Sequence, residues 1–253
     1  MASIERTAYP KLKINISQKE LTEKYNILPS DIEHAYSFLK DRDFAVSYLT
    51  LLKCFQNLGY FPSESEIPSM IIKHIANHLN VKESINIIKY KRKGTLYKHH
   101  ASIRNYLNIK QYDDTAKKFI IDIVTNNSYT MDNPADLINS AIDILVKNNY
   151  ELPAYSHIDR LTLEIRTKVL NEIFKVVSEA TSEETKDSLD RMLEVTDDKD
   201  FSDFKYLKEP SKKPTFKNMK DLIIKLRFSE SFGNFQDILS FIPHMKICLL
   251  YTS

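Results

Sequence analysis

Apolar residues recur at three- and four-residue spacing along most of this chain, and each run predicts a helix with one buried face. The clearest is 44–58, where Phe44, Tyr48, Leu51, Leu52, Phe55 and Leu58 form one stripe that Gly59 ends. Upstream, Ser17 and Glu20 stand at capping-box spacing, and Leu21 and Tyr25 continue the face of a first helix. Pro29, Ser30 and Asp31 break the chain and restart it, with Ile32, Tyr36 and Leu39 as the next stripe. Ser63 with Glu66 offers a second capping box, and the helix it opens carries Ile67, Met70, Ile71 and Ile75.

Residues 85–90 are rich in β-branched side chains and predict a short strand, with 91–94 as an exposed turn. Thr95 then caps a helix through Leu107, with Ile103 and Leu107 inward and Lys98, His99 and Arg104 toward solvent. Helices follow over 113–125 and 134–147, the second with proline in its first turn, where the absent N–H does no harm. Leu152 and Pro153 end the next turn, and Ser156 caps a long helix carrying Ile158, Leu161, Ile165, Leu170, Phe174 and Val177. Two more, 183–195 and 218–228, flank the polar, proline-bearing stretch 208–214, which is the expected linker. Laying Pro62 on Pro153 aligns Leu51 with Ile142, Phe55 with Val146, Ile67 with Ile158 and Met70 with Leu161. Each copy reads helix, proline turn, helix. That is either a repeated helix-turn-helix, whose second helix enters a DNA groove, or two amphipathic helix pairs that align because both bend at proline.

Three glycines in 253 residues disfavour the glycine-rich phosphate loops of nucleotide-binding folds and point to an all-α protein. The apolar fraction of 42% is ordinary for a chain that buries a core. No apolar run is long enough to span a bilayer and no secretory signal opens the chain, so no membrane partner and a cytoplasmic address are expected. Thirty-six basic residues against 34 acidic ones conceal a segregated layout. Residues 82–118 hold ten Lys or Arg and three acids, whereas 179–203 hold ten acids and three basic residues. The basic block is either a phosphate-binding surface or a solvated face.

Candidate chemistry is sparse. Of two cysteines, Cys54 falls on a core stripe and Cys248 lies near the end, which excludes a disulfide framework or thiolate metal site. His74 and His78 stand four apart, but Ile75, Ala76 and Asn77 between them supply no metalloprotease glutamate. The acidic pairs Asp113–Asp114 and Asp197–Asp198 are adjacent, and neighbours on a helix do not share a face, so they read as caps and solvated charge. No nucleophile motif is present, and no catalytic residue, metal ligand or cofactor is expected. The candidate DNA contacts fall in two groups. Lys91, Arg92, Lys93, Lys98, His99 and Arg104 form a basic cluster that would position a phosphate backbone, and His100 follows His99 as a further phosphate donor. Ser156, His157 and Arg160 occupy the first turns of a long helix, where an arginine reaches base edges, with Arg166 and Lys168 further along toward backbone. An ion pair of Arg160 with Asp159 or Glu164 is the structural alternative.

Three segments carry a family resemblance: MASIERTAYP at 1–10, LLKCFQNLGYFP at 51–62 and ELPAYSHIDR at 151–160. In this order they resemble the amino-terminal region of the large transposases of class II replicative transposons, the Tn-three family. The resemblance extends over nearly all of 1–247. It implies an all-α fragment with tandem helix-turn-helix-like DNA-binding modules, over 1–80 and 81–178, followed by a helical connector over 179–247. It implies binding to double-stranded DNA at the transposon's terminal inverted repeats, association with the nucleoid when bound, and a homodimer for the full-length protein. The family's catalytic acidic residues would lie downstream, so this stretch itself is not expected to be an enzyme. Residues 248–253 match what a sequencing-library end encodes in one reading frame and are expected to be an adapter-derived tail. The rival reading is an all-α protein-interaction scaffold without DNA affinity, whose acidic segment 179–203 binds a basic partner.

Overall fold

The computed structural model describes residues 3–39, 42–81, 93–131, 133–195, 201–209 and 215–230. Among them the regular elements are helical: α1 (Gln18–Lys24), α2 (Pro29–Phe38), α3 (Arg42–Leu58), α4 (Ser69–His78), α5 (Lys93–Leu107), α6 (Asp114–Ser128), α7 (Pro134–Lys147), α8 (Tyr155–Ala180), α9 (Glu183–Leu193), α10 (Asp203–Lys208) and α11 (Phe216–Glu230). The class is all-α, as expected. Extended pairing among the described residues is confined to one bridge, Lys110 with Tyr150. The expected strand at 85–90, most of the linker at 208–214 and the tail at 248–253 lie outside the described residues.

Helix starts follow local chemistry. Ser17 accepts from the Glu20 N–H while Glu20 reaches back to the Ser17 N–H, the capping box read from sequence. At α2 the proline occupies the first turn and Asp31 accepts from the Leu28 N–H at 2.9 Å. The second capping box closes only a 3₁₀ turn, Glu64–Glu66, and α4 begins later, at Ser69. Pro68 is the reason: it holds Ile67 extended, so helix resumes only after the proline. Two other starts shift. α5 begins at Lys93, which takes Gly94 into the helix and leaves Thr95 inside it rather than at its cap. α8 begins at Tyr155, so Ser156 stands in its first turn and is not the capping residue.

Helix ends explain how so few glycines suffice. Gly59 ends α3 at φ +72°, but Asn80, Asn108 and Asn149 follow α4, α5 and α7 in the same left-handed region, at φ 53°, 54° and 57°. Asparagine tolerates that conformation better than other side chains. Behind each, a backbone N–H reaches back five residues, as Val81 to Ala76, Ile109 to Arg104 and Tyr150 to Leu145.

The chain divides into two compact units, Met1–Arg166 and Thr167–Ser253. In the first, α1 to α5 enclose one apolar core built from Leu21, Tyr48, Leu52, Phe55, Ile71, Ile75 and Ile103. Cys54 is fully buried there, and burial pushes its thiol up to about 12. The core also holds a charge pair, Asp31 with Lys53, and a polar chain in which Tyr48 Oη lies 2.9 Å from both His34 Nε2 and Ser102 Oγ. Next, α6 and α7 pack on each other through Ala116, Ile120 and Val124 on one side and Leu137, Ile138, Ala141 and Leu145 on the other.

These two helical groups are joined by connecting segments. The Leu152 N–H donates to the Gly59 carbonyl at 2.8 Å, and the Glu151 N–H to the Lys110 carbonyl at 2.9 Å. Tyr9, from the segment before α1, stacks on Tyr60 at 5.1 Å, meets the edge of Tyr155 at 5.4 Å and donates its hydroxyl to the Pro153 carbonyl at 2.9 Å. The Ala8 N–H donates to Asn139 Oδ1 at 2.7 Å, and the Tyr60 hydroxyl to the Pro10 carbonyl at 3.2 Å. All three resemblance segments meet at this joint.

In the second unit α9 and α10 pack together, with Ser182 capping α9 by accepting from the Thr185 N–H. α10 was not anticipated, because six residues give too little periodicity to read. Lys225 of α11 donates to the carbonyls of Tyr206 and Glu209 and lies over the Tyr206 ring at 4.7 Å.

Candidate nucleic-acid interface

The sequence-predicted contacts sit in different environments. Lys91 and Arg92 lie outside the described residues, and Lys93 is the first residue of α5. Lys98 is exposed on α5. His99 is not: 2% of it is exposed, and its ring meets Tyr48, Phe38 and Phe44 edge-on at 5.4, 5.8 and 6.2 Å. The expectation that it faces solvent is corrected, because aromatic rings from α2 and α3 close over that side of the helix. His100 stacks on Phe61 at 3.7 Å and 6°. Burial holds both imidazoles down at about 4, with Arg104 and His99 depressing His100 further. Neutral, enclosed rings do not neutralise phosphate.

Arg104 is also committed. Its guanidinium donates to Glu151 at 3.0 Å and to Gln111 at 3.3 Å, and it lies 5.7 Å from the centre of the Phe61 ring. The expectation that it faces solvent is corrected too: with 13% of its side chain exposed, it clasps α5 to the segment before α8.

On α8, Ser156 is exposed and His157 Nε2 lies 3.1 Å from the Tyr112 hydroxyl, which ties the helix start to the segment before α6. Arg160 is 69% exposed but stands 3.7 Å from Glu164, the ion pair weighed as its alternative. Arg166 is half-buried, and Lys168, in the second unit, lies 4.0 Å from Glu172. Along the exposed side of α8 the basic residues are matched by acids at helical spacing, which weakens the net attraction for a polyanion.

The outward side of α5 is different. Gly94, Lys98, Ala101, Asn105 and Asn108 follow one another at three- and four-residue steps, with Tyr97 beside them, 65% exposed. At its carboxyl end this side opens into a polar groove of about 720 Å³, bounded by Arg104, Asn105, Asn108, Lys110, Gln111 and Tyr112. Carboxamides present a donor and an acceptor side by side, the pattern that reads an adenine edge, and Ala101 leaves room for a groove wall. Lys98 and Lys110 supply positive charge next to them. Asn105, Asn108 and Gln111 were missed because charge was followed, and Lys110, counted in the basic block 82–118, was not singled out. The step of Lys98, Ala101, Asn105 and Asn108 along one helical side was the available signal.

Among the described residues no group of three or more His, Cys, Asp or Glu is placed to hold a metal ion. His78 Nδ1 is turned onto the His74 carbonyl at 2.9 Å, while burial, and then His78, lower the His74 imidazole's affinity for protons. Nor is any described helix long and apolar enough to cross a membrane.

Residues 1–165 match the domain of unknown function DUF4158, a span that ends one residue short of the first compact unit's boundary. The chain is also 23% identical over 164 residues to the transposase for transposon Tn1546 of Enterococcus faecium, covering 64% of this chain. It spans only 17% of the length of that relative.

Proposed function

The chain belongs to the DUF4158 family, and from that premise we propose that it binds double-stranded DNA as the amino-terminal part of a transposase. Similarity to a transposase over 164 residues carries the proposal. On this view the ligand is the transposon's terminal inverted repeat, the protein is of the Tn-three family, and cleavage and strand transfer belong to another part of a longer protein that acts as a homodimer. The outward side of α5 is the element we assign to base reading, through Asn105, Asn108 and Gln111. Lys98 and Lys110, with Lys91, Arg92 and Lys93 leading into the helix, would hold phosphates. Ser156, Arg160 and Arg166 on α8 act as secondary backbone contacts, and Lys168 is a backbone contact of the second unit by itself. His99 and Arg104 support α5 from inside and leave the DNA-facing set, as His157 does while it holds Tyr112.

The interaction-scaffold alternative rests on the acidic run alone, and a transposase relative does not favour it. Binding selection from a random duplex pool tests the proposal, followed by anisotropy on the selected sequence and on a shuffled duplex. A recurrent sequence bound more tightly than its shuffled control is expected, with both strands intact when divalent metal is added. Absence of affinity for any duplex at low salt would remove the proposal.

A further inference from the structure

Tyr9 stands apart in the first unit because it touches both helical groups at once. Each group has its own core: α1 to α5 close over Tyr48, Leu52 and Ile71, whereas α6 and α7 close over Ile120 and Leu145. The broad helix-on-helix contacts of the unit fall within the groups, α3 with α2, α4 and α5, and α6 with α7. The hydrogen bonds between the groups have a non-helical segment on at least one side. The Tyr9 ring is 7% exposed, and burial raises its phenol well above the ordinary range, so it stays a hydrogen-bond donor to the Pro153 carbonyl. One residue before it, Ala8 is pinned to Asn139 of α7, and one residue after it, Pro10 accepts from Tyr60 at the end of α3. Consecutive residues therefore bond to α7, to the α7–α8 turn and to the α3–α4 turn.

We infer that residues 8–10 are a strap that clamps the two helical groups into one body, with Tyr9 as the positioning residue that sets their register. The physical case rests on what else holds them. Leu152 on Gly59, Glu151 on Lys110 and the Arg104–Glu151 pair lie at the turns and act as a hinge line. A hinge fixes where two bodies meet but not the angle between them, whereas an aromatic plug across the hinge removes that freedom. Aromatic pairs of this geometry and a buried hydroxyl bond are individually modest, enough to hold one angle and not enough to hold either core together. Loss of the plug therefore frees the angle without unfolding the groups. The consequence for binding rests on the DNA proposal above: α5 belongs to one group and the turn that leads into α8 leaves the other, so a fixed angle lets both meet one duplex without a further ordering penalty.

Pulsed electron resonance distances between spin labels test the strap without DNA. Labels go on Lys19→Cys in α1 and Lys147→Cys in α7, both exposed, in a chain carrying Cys248→Ser, while buried Cys54 stays unlabelled. A single narrow distance is expected with Tyr9 present and a broad distribution in Tyr9→Ala at unchanged helical circular dichroism. Should Tyr9→Ala fail to fold, Tyr9→Phe, which deletes only the Pro153 bond, and Asn139→Ala, which deletes the Ala8 bond, decide the matter by graded broadening. Unchanged widths in the folded variants overturn the strap. In the second arm, affinity for the selected duplex falls in Tyr9→Ala by at most about ten-fold, since the α8 contacts are secondary to those of α5. Broadened distances with unchanged affinity overturn the binding half. Broadened distances in a chain that binds no duplex overturn the DNA proposal and leave the strap standing.

Discussion

The carboxylate of Asp31 and the ammonium of Lys53 meet at 2.6 Å with 1% and 5% of their side chains exposed. The pair is fully engaged, since Asp31 also accepts from the Leu28 N–H and from the Tyr106 hydroxyl. Burying two charges is repaid only where every lone pair finds a partner. Lys53→Met leaves the carboxylate stranded and is expected to destabilise the protein by about 3–5 kcal/mol in urea unfolding. Adding Asp31→Leu to it should recover most of that loss but not the α2 cap, about 1 kcal/mol. A loss below about 1 kcal/mol for Lys53→Met alone would mean the site is wet in solution.

Acid should weaken the protein through His99 and His100. Both are held at about 4 in the fold against 6.5 for the unperturbed side chain, so the unfolded chain takes up protons first as pH falls. The stability that depends on their neutral forms is complete above pH 6.5 and is lost progressively down to pH 4. The pair should account for a fall of roughly 2–5 kcal/mol between pH 7 and 4.5, the lower figure allowing for solvent screening. His99→Phe with His100→Phe, which keeps the rings around them packed, should flatten that part of the curve. Equal slopes in the two proteins would count against burial as the cause.

Gly59 should tolerate asparagine better than alanine. At φ +72° any side chain is strained, but an added Cβ meets Leu152 at an ordinary 3.5 Å, so crowding adds little. Gly59→Ala is expected to destabilise by about 1 kcal/mol or more and Gly59→Asn by less, as measured by thermal unfolding. Asn80, Asn108 and Asn149 already stand in that conformation. The reverse ranking would place the constraint in packing against Leu152.

On DNA, the two sides of the proposed interface should separate. Asn105→Ala with Asn108→Ala should weaken the selected duplex by about 1–3 kcal/mol and a shuffled one much less. Lys98→Ala with Lys110→Ala should weaken both alike and shallow the salt dependence by about 0.9 for each phosphate no longer neutralised. Arg160→Ala should change little, given its pairing with Glu164. If Arg160→Ala abolished discrimination while the asparagine changes did nothing, base reading would belong to α8.

The helices were legible because their causes are local. Stripe spacing gave α3, the proline in its first turn marked the start of α7, and the Ser17 capping box gave α1, since a few neighbouring residues decide each. The start of α4 is displaced from its capping box because Pro68 intervenes. The inward turn of His99 was not legible, since Phe38 and Tyr48 that enclose it come from other helices. Charge drew attention for DNA binding toward Arg104, whose ion pair with Glu151 links residues far apart in sequence. The resemblance segments were found as sequence, but their meeting at one joint depends on interactions that cross most of the first unit.

The bond from Tyr9 to Pro153 spans 144 residues, and this orders events during synthesis. Tyr9 leaves the ribosome early, yet its partner is made roughly 10–30 s later at usual elongation speeds. The α1–α5 core draws its residues from 16–103 and needs nothing from that later stretch to close. Interactions between neighbours in sequence form before distant ones. The nascent chain therefore carries a finished first group in which Ala8 and Tyr9 still lack Asn139 and Pro153, and the making of those two bonds marks the completion of the second.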